Sequence, residues 1–566
     1  MQTRSARIPL SLSAVLREKW TNGITCPSDV VFAIGASLIW ALLYNFSFWQ
    51  QTLAAMWHPT ANAALFLASL LVLVLTLQAI LLLLFPTRRS MRAAAGVLFV
   101  VAAASSYFCD VYSAIMNKDM MRNVLQTDPA EVDGLLSANM LLHLIVLGVI
   151  PAILVWRVKL PATTWRTQLK QRASFAGAAL AVSVLGLFAC SASYAVFFRE
   201  HKPIRYTLSP AAPVTSLVVG LVGTHGPKHS APLVDLAGNV HRLATAHTKP
   251  LVLFIVIGET ARAANFELSG YARATNPQLR ATDGVVYFNH ATACGTSTAI
   301  SVPCIFSPFK RADFDADAAN RYTNLLDSLT KAGFDVEWRD NNAGCKGVCA
   351  RVASIDYTRQ SNAQLCPESY CYDEIMLTDL QARLESVSRD TVIVFHQIGS
   401  HGPAYAERYP QRFELFKPAC RSNQLQKCTP QEIVNAYDNT IAYTDYVLSR
   451  QIALLRAASS RVDGMLIYAS DHGESLGEQG LYLHGMPYSF APRTQKDIPM
   501  LIWASQSYAE RGELRAGCLS SRASEPVGHD NLYHTILGAA EVRDAVYDPR
   551  LDLLSACRNG ARAGHE

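Results

Sequence analysis

The run Pro250-Leu-Val-Leu-Phe-Ile-Val-Ile-Gly258, followed at once by Glu259-Thr260, decides how the larger, C-terminal part of this 566-residue chain is read. It is a short, unbroken apolar stretch rich in Val and Ile and bounded by Pro and Gly, the signature of a strand buried on both faces. Thr391–Ile398 and Gly464–Ser470 read the same way, with weaker candidates at Gly284–Asn289, Asp335–Arg339 and Ile498–Trp503. Helical patterns separate them: Thr323–Ala332, Glu374–Val387 and Thr429–Ala458. Strands alternating with helices predict a doubly wound α/β domain over residues 250–566. The chain has no internal repeat, GxGxxG fingerprint or P-loop, so a nucleotide-binding reading has no support.

In open α/β sheets, ligands bind beyond the carboxyl ends of the strands. Glu259 follows the first strand, Ser400 and His401 the second, and Asp471-His472-Gly473-Glu474 the third, with His484 in the glycine-rich loop beyond. One carboxylate after a strand is commonly a helix cap, and one histidine is commonly structural; His396, in mid-strand, is assigned to the core on that ground. Three strand ends converging as an oxygen and nitrogen set suit a divalent transition metal, zinc above all. The nucleophile is sought in Cys294-Gly-Thr-Ser-Thr-Ala-Ile-Ser-Val-Pro-Cys304, small and hydroxyl-rich. A metal-bound threonine hydroxyl there would be acidified for attack on phosphorus. The plain alternative is a Ser/Thr helix cap.

Working back toward the N-terminus, five long apolar runs precede residue 200: Val30–Trp49, Ala61–Phe85, Ala93–Met116, Leu135–Trp156 and Ala173–Phe198. Each approaches or exceeds the roughly 20 residues that span a bilayer. Arg4, Arg7, Arg17 and Lys19 precede the first; the loop Gln50–Asn62 has no Lys or Arg; Arg88, Arg89 and Arg92 follow the second. After the third, Lys118 and Arg122 are diluted by Asp119, Asp128, Glu131 and Asp133; Arg157, Lys159, Arg166, Lys170 and Arg172 separate the fourth and fifth. This alternation predicts a cytoplasmic N-terminus and an exported C-terminal domain, periplasmic in a bacterium. The predicted layout is a five-helix transmembrane domain (1–199), a linker with a short interfacial helix at Val214–Val222 (200–249), and the α/β domain. Half the residues are hydrophobic and only 17% charged, which excludes a disordered chain, and a net charge of +5 is too mild to argue for nucleic acid.

Of 13 cysteines, Cys26, Cys109 and Cys190 fall in or beside the membrane part. The other ten lie in the exported domain, where an oxidising compartment favours disulfides. Local pairs Cys294–Cys304, Cys345–Cys349, Cys366–Cys371 and Cys420–Cys428 are the economical reading, with Cys518–Cys557 as a further pair. A zinc ribbon from Cys345, Cys349, Cys366 and Cys371 is the competing one.

The motifs have a family resemblance. Glu259-Thr-Ala-Arg-Ala-Ala-Asn-Phe-Glu-Leu-Ser-Gly-Tyr271 with Arg273 and Thr275-Asn-Pro277, CGTSTAISVPCIF (Cys294–Phe306) and Asp340-Asn-Asn342 with Lys346-Gly-Val348 resemble the lipid A phosphoethanolamine transferases of the EptA and mobile-colistin-resistance type. So do Gly402-Pro-Ala-Tyr405, SDHGESLGE (Ser470–Glu478), YLHGMPY (Tyr482–Tyr488) and His529-Asp-Asn-Leu-Tyr-His534. That family belongs to the alkaline phosphatase and sulfatase superfamily. The resemblance implies Thr298 as nucleophile with Thr296 near it, and a zinc site of Glu259, Thr298, Asp471 and His472 supported by Glu474. It implies that His401 and His484 touch the donor phosphate or a second zinc, and that Asn342 and Lys346 bind the phosphoethanolamine head. The implied reaction moves phosphoethanolamine from phosphatidylethanolamine to a phosphate of lipid A through a threonine-linked intermediate, giving polymyxin resistance. A monomer in a Gram-negative inner membrane is the matching expectation. The alternatives are another acceptor (a core sugar, a periplasmic glucan or protein) and a non-catalytic receptor for a lipid headgroup.

Overall fold

The computed structural model describes residues 24–57, 60–127, 132, 135–224, 233–243, 247–367 and 370–558. Arg4, Arg7, Arg17, Lys19, Asp128, Glu131 and Asp133, used above for topology, and residues 225–232 and 244–246 of the linker lie outside them. The chain forms two compact units, Met1–Asn117 with Ala138–Ser216, and Lys118–Ser137 with Leu217–Glu566.

The first unit is helical. Among the described residues, Ala61–Leu83, Arg88–Tyr112, Ala138–Arg157 and Trp165–Ala189 are each long and apolar enough to cross a membrane. A fifth crossing is made if Asp29–Leu43 and Phe46–Met56 count as one span, bent by 68°. The run Val30–Trp49 is therefore not one straight helix. At its break, Asn45 Nδ2 donates to the Trp40 carbonyl and to Ser209 O, both at 2.8 Å, so a polar side chain takes up backbone groups where the helix is interrupted. The third span starts earlier than Ala93 because Thr87 and Ser90 form a capping box. It stops at Tyr112, short of Met116, because Ser113 turns left-handed (φ 57°). The fourth contains a π-helical stretch, Leu144–Val149. The short apolar piece of the linker belongs to a longer helix, Ala211–Thr224.

The second unit is built on a seven-stranded sheet. Its strands are β1 (Leu251–Gly258), β2 (Val285–Tyr287), β3 (Asp335–Asp340), β4 (Ala353–Asp356), β5 (Thr391–His396), β6 (Asp463–Ser470) and β7 (Met500–Ala504), in spatial order β2-β7-β6-β1-β5-β3-β4. The five strands from β6 to β4 are parallel; at one edge β7 runs antiparallel to β6, and β2 antiparallel to β7. All eight residues of β1 are buried. Leu251, Leu253, Ile255 and Ile257 enter one core and Val252, Phe254 and Val256 the other, the two-residue period of a strand covered on both faces.

The 28-residue helix Pro430–Ala457 covers the second face with Ile433, Tyr437, Ile441, Leu448, Ile452 and Leu455, spaced at helical intervals. Its start is set by the capping box of Thr429 and Glu432. His529–Ala539 and Leu325–Lys331 cover the other face through Leu532, Ile536, Leu325 and Leu329. The expected helix Glu374–Val387 is a 3-10 turn, Asp373–Leu377, followed by a short helix, Leu380–Glu385. Of the expected strand Ile498–Trp503, Ile498 pairs into a separate three-stranded sheet. Five disulfides join Cys294–Cys304, Cys345–Cys349, Cys366–Cys371, Cys420–Cys428 and Cys518–Cys557. The zinc ribbon is thereby excluded, since its four sulfurs are bonded to one another.

Candidate metal centre and nucleophile

Glu259 and Asp471 are the residues that follow β1 and β6, neighbouring strands paired in parallel, so the sheet itself sets their carboxylates side by side. The backbone there is strained and held. Thr260 sits at φ 52°, its N–H donating to Asp471 Oδ1 (3.2 Å) and its carbonyl accepting from Tyr437 Oη (2.7 Å). Gly399, after β5, passes so close that a Cβ would lie 2.7 Å from the Glu259 carbonyl oxygen. Only glycine permits that approach at φ 51°.

Glu259, Asp471 and His472 are completely buried, and Thr298 nearly so. His472 Nδ1 lies 2.9 Å from the Gly473 carbonyl and donates to it, which turns Nε2 toward the carboxylates. Nε2 is 3.3 Å from Glu259 Oε1, 3.3 Å from Asp471 Oδ2 and 3.4 Å from Thr298 Oγ1. Neither Glu259 Oε1 nor Asp471 Oδ2 has a hydrogen-bond partner. Two orphaned carboxylate oxygens in a dry interior are costly unless a cation meets them. Ligands of a tetrahedral zinc at ~2.0–2.1 Å stand about 3.3–3.4 Å apart, so these atoms fit that ion. Among the described residues this trio is the cluster competent to hold a metal.

Its electrostatics agree. Burial lowers His472's affinity for a proton, but Asp471 and Glu259 outweigh it and pull the imidazole up to about 10. Burial and the Glu259 charge raise Asp471 to about 7. Glu259 is held below its usual range because His472 overcomes its burial. Two carboxylates thus compete for one positive charge.

Thr298 opens the helix Thr298–Ile305, whose far side packs Val302 and Ile305 into the core. The Cys294–Cys304 bridge closes the segment, and Cys294 N–H donates to His529 Nδ1 (3.0 Å) while His529 Nε2 donates to Ser470 O (2.9 Å). The turn that leads into Thr298 is thus tied to the end of β6. Thr298 Oγ1 donates to Glu259 Oε2 (3.0 Å). Asn342 Nδ2 donates to the same oxygen (2.8 Å) and to Gln397 O (2.7 Å). Thr296 Oγ1 donates to Met486 O (2.6 Å), toward the loop that carries His484. Glu474 accepts from Tyr405 Oη (2.7 Å) and lies 2.8 Å from His484 Nδ1. The rings of His472 and His484 are 4.4 Å apart and those of His401 and His484 5.5 Å.

Lys346 does not join this group: its Nζ donates to Ala343 O (2.7 Å) in its own loop. The sequence reading left Asp373 and Tyr437 unassigned. Asp373, buried, accepts from Asn341 Nδ2, Ile398 N and Gly399 N, each at 2.9 Å, and so fixes the ends of β3 and β5 together.

A parallel-centred α/β sheet with carboxylates, histidine and a buried threonine at its strand ends, preceded in the chain by membrane-length helices, defines a membrane-linked sulfatase-type domain. The Sulfatase family model matches residues 251–542, and the Phosphoethanolamine transferase EptA/EptB model matches 72–222. The chain is 41% identical over 473 residues to phosphoethanolamine transferase EptA of Salmonella typhimurium, covering 82% of this chain and 86% of that one. It is 39% identical over 455 residues to the phosphatidylethanolamine transferase Mcr-1 of Escherichia coli (79% and 82%). The integral membrane lipooligosaccharide phosphoethanolamine transferase A of Neisseria meningitidis superposes with a TM-score of 0.91 at 33% identity, over 94% of this chain and 99% of that one. The chain belongs to the EptA-type phosphoethanolamine transferase family.

Proposed function

We propose that this chain transfers phosphoethanolamine from phosphatidylethanolamine to a phosphate of lipid A, using Thr298 as the nucleophile. The observation that carries the reading is the Thr298 hydroxyl, buried at the rim of the metal-competent trio and hydrogen-bonded to Glu259 Oε2 at 3.0 Å. A zinc ion held by Glu259, Asp471 and His472 with Thr298 supplies Lewis acidity, acidifying the hydroxyl and drawing negative charge from the phosphoryl oxygens. Glu259 Oε2 is placed to receive the hydroxyl proton, and Asn342 Nδ2 fixes that carboxylate.

Thr298 Oγ1 bonds to phosphorus as the bond to the glycerol oxygen breaks, and diacylglycerol leaves with the proton. A phosphate oxygen of lipid A then bonds to phosphorus, the bond to Oγ1 breaks, and Thr298 is reprotonated. Glu474 and Tyr405 orient His484, which with His401 faces the donor phosphate or a second zinc. Lys346 and Asn342 serve the phosphoethanolamine head, Lys346 by swinging off Ala343, and Thr296 supports the nucleophile's turn.

The reading places the protein as a monomer in a Gram-negative inner membrane, with a cytoplasmic N-terminus, five crossings ending near residue 199, a linker to 249 and a periplasmic catalytic domain beyond. Five disulfides in the catalytic unit support an oxidising compartment. The added aminoethyl cation reduces the surface charge that attracts cationic peptides. Mass spectrometry of lipid A from a polymyxin-sensitive host tests it. A phosphoethanolamine increment with wild type, absent with Thr298→Ala, is expected; no increment from inserted wild type sinks the lipid A assignment.

A further inference from the structure

The two half-reactions differ in charge. In the first, a hydroxyl that gives up its proton meets a phosphodiester monoanion. In the second, a phosphate monoester close to dianionic near pH 7 must approach a phosphodiester that is itself an anion. Cations beyond the metal trio are therefore needed chiefly in the second.

A cavity of about 350 Å³ lies against the Cys294–Ser297 turn that leads into Thr298, walled also by Lys118, Arg122, Arg311 and Tyr488. All of these belong to the catalytic unit, which includes residues 118–137. Lys118 and Arg122 are both paired with Asp317. Two acids line the cavity as well: Asp119 stands 3.9 Å from Arg122 Nη1, and Asp315 Oδ1 accepts the Asp317 N–H.

Arg311 is different. Its guanidinium carbon lies 4.2 Å over the Tyr488 ring centroid, and among the described residues no salt bridge joins the guanidinium to a carboxylate, while the Arg311 backbone N–H donates to Asp530 Oδ1 (2.8 Å). Lys496 lies 5.4 Å from the same ring, adding positive charge beside it. A guanidinium held over an aromatic face by a cation–π contact keeps N–H donors that can grip two oxygens of one phosphate.

We propose that Arg311, seated on Tyr488 at the cavity beside the nucleophile's turn, binds the phosphate monoester of the acceptor in the second half-reaction. The proposal rests on the transfer chemistry above. The rival source of an anion here is the donor's own phosphate, and separating the half-reactions distinguishes them.

The test uses full-length protein in detergent with phosphatidylethanolamine carrying a fluorescent acyl chain, first alone and then with bisphosphorylated lipid A. Wild type, Arg311→Ala and Arg311→Lys are compared. Without acceptor, release of the first fluorescent diacylglycerol is expected to keep its rate and amplitude within about twofold in both variants. With acceptor, KM for lipid A is expected to rise about tenfold in Arg311→Ala and less in Arg311→Lys, with kcat changed far less. A slowed first release in Arg311→Ala would assign the site to the donor and overturn the proposal, as would an unchanged KM. Wild type that releases no diacylglycerol and modifies no lipid A would sink the transfer reading itself, and this proposal with it.

Discussion

Thr298 Oγ1 donates a 3.0 Å hydrogen bond to Glu259 Oε2, a carboxylate whose other oxygen stands 3.3 Å from His472 Nε2 and has no hydrogen-bond partner. One side chain thus faces both the proposed nucleophile and the His472 imidazole of the metal-competent cluster. Removing the hydroxyl in Thr298→Ala is expected to lower transfer at least about 1,000-fold, while Thr298→Ser retains measurable activity. Intact-protein mass spectrometry after incubation with donor alone checks the chemistry. A phosphoethanolamine adduct on wild type and Thr298→Ser, and none on Thr298→Ala, is the expected result; an adduct mapped to another residue would displace Thr298.

The same cluster makes a metal-removal prediction. Dialysis against a chelator should abolish turnover, and zinc should restore it. Because the proposed ligands directly follow β1 and β6 in the centre of the sheet, the ion should also stabilise the fold. At free zinc 100 times its Kd the gain is about 2.7 kcal/mol, read as a rise in Tm. Asp471→Asn should bind less zinc by elemental analysis and lose most of that rise. A Tm indifferent to zinc in wild type would contradict the assignment.

The residues legible in the sequence are those that directly follow an apolar run. Glu259 and Asp471-His472 are announced by their own strands, and parallel pairing of β1 with β6 does the rest. What was not legible depends on distant partners. The first apolar run looks continuous until Asn45 meets Ser209, 164 residues away. Tyr437 looks like an ordinary core aromatic on a helix until its hydroxyl meets the Thr260 carbonyl, 177 residues away. Asp373 carries no local mark of its contacts with Ile398 and Gly399. Lys346 shows what a motif leaves out: a left-handed backbone (φ 52°) beside the Cys345–Cys349 bridge sets its side chain, whose Nζ donates to Ala343 O in its own loop.

The Cys294–Cys304 bridge closes a loop with a sequence separation of 10. A loop of that length corresponds to about 2–3 kcal/mol of chain entropy. The double substitution to Ala should therefore lower Tm by several degrees, and should slow transfer because Thr298 opens the helix that ends beside Cys304. Equal stability with lost activity would mean that the bridge positions the turn without stabilising the domain.

His529 gives a pH dependence whose sign is fixed. Burial pushes its imidazole down to about 4, from an ordinary value near 6.5. A base with a depressed folded-state value binds fewer protons folded than unfolded across that window. Stability is then whole above about pH 6.5 and is lost as the pH falls toward 4. The full loss is on the order of 3 kcal/mol. Protonation would also place an N–H against the Cys294 N–H that Nδ1 now accepts. Thermal unfolding of wild type and His529→Gln at pH 7.5 and 4.5 measures this; wild type should lose more stability on acidification than the variant. Parallel losses would show that other groups set the acid limit.

Glu474 touches His484, and in the proposed reaction it acts through that ring as a positioning residue. It is completely buried, accepts from Tyr405 Oη at 2.7 Å and lies 2.8 Å from His484 Nδ1, so it sets the ring's tautomer. Glu474→Gln keeps the shape but offers an amide where the ring presents its own N–H. A fall of about 10–100-fold in kcat is expected, with KM for the donor changed less. Tyr405→Phe removes one of the two contacts and should fall between wild type and Glu474→Gln. The readout that separates positioning from mere packing is the pH profile. Replacing the carboxylate by an amide removes the negative charge beside the imidazole, so the profile of Glu474→Gln should shift while that of Tyr405→Phe keeps its shape. Identical profiles in all three proteins, with kcat reduced only in step with stability, would reduce Glu474 to a structural carboxylate.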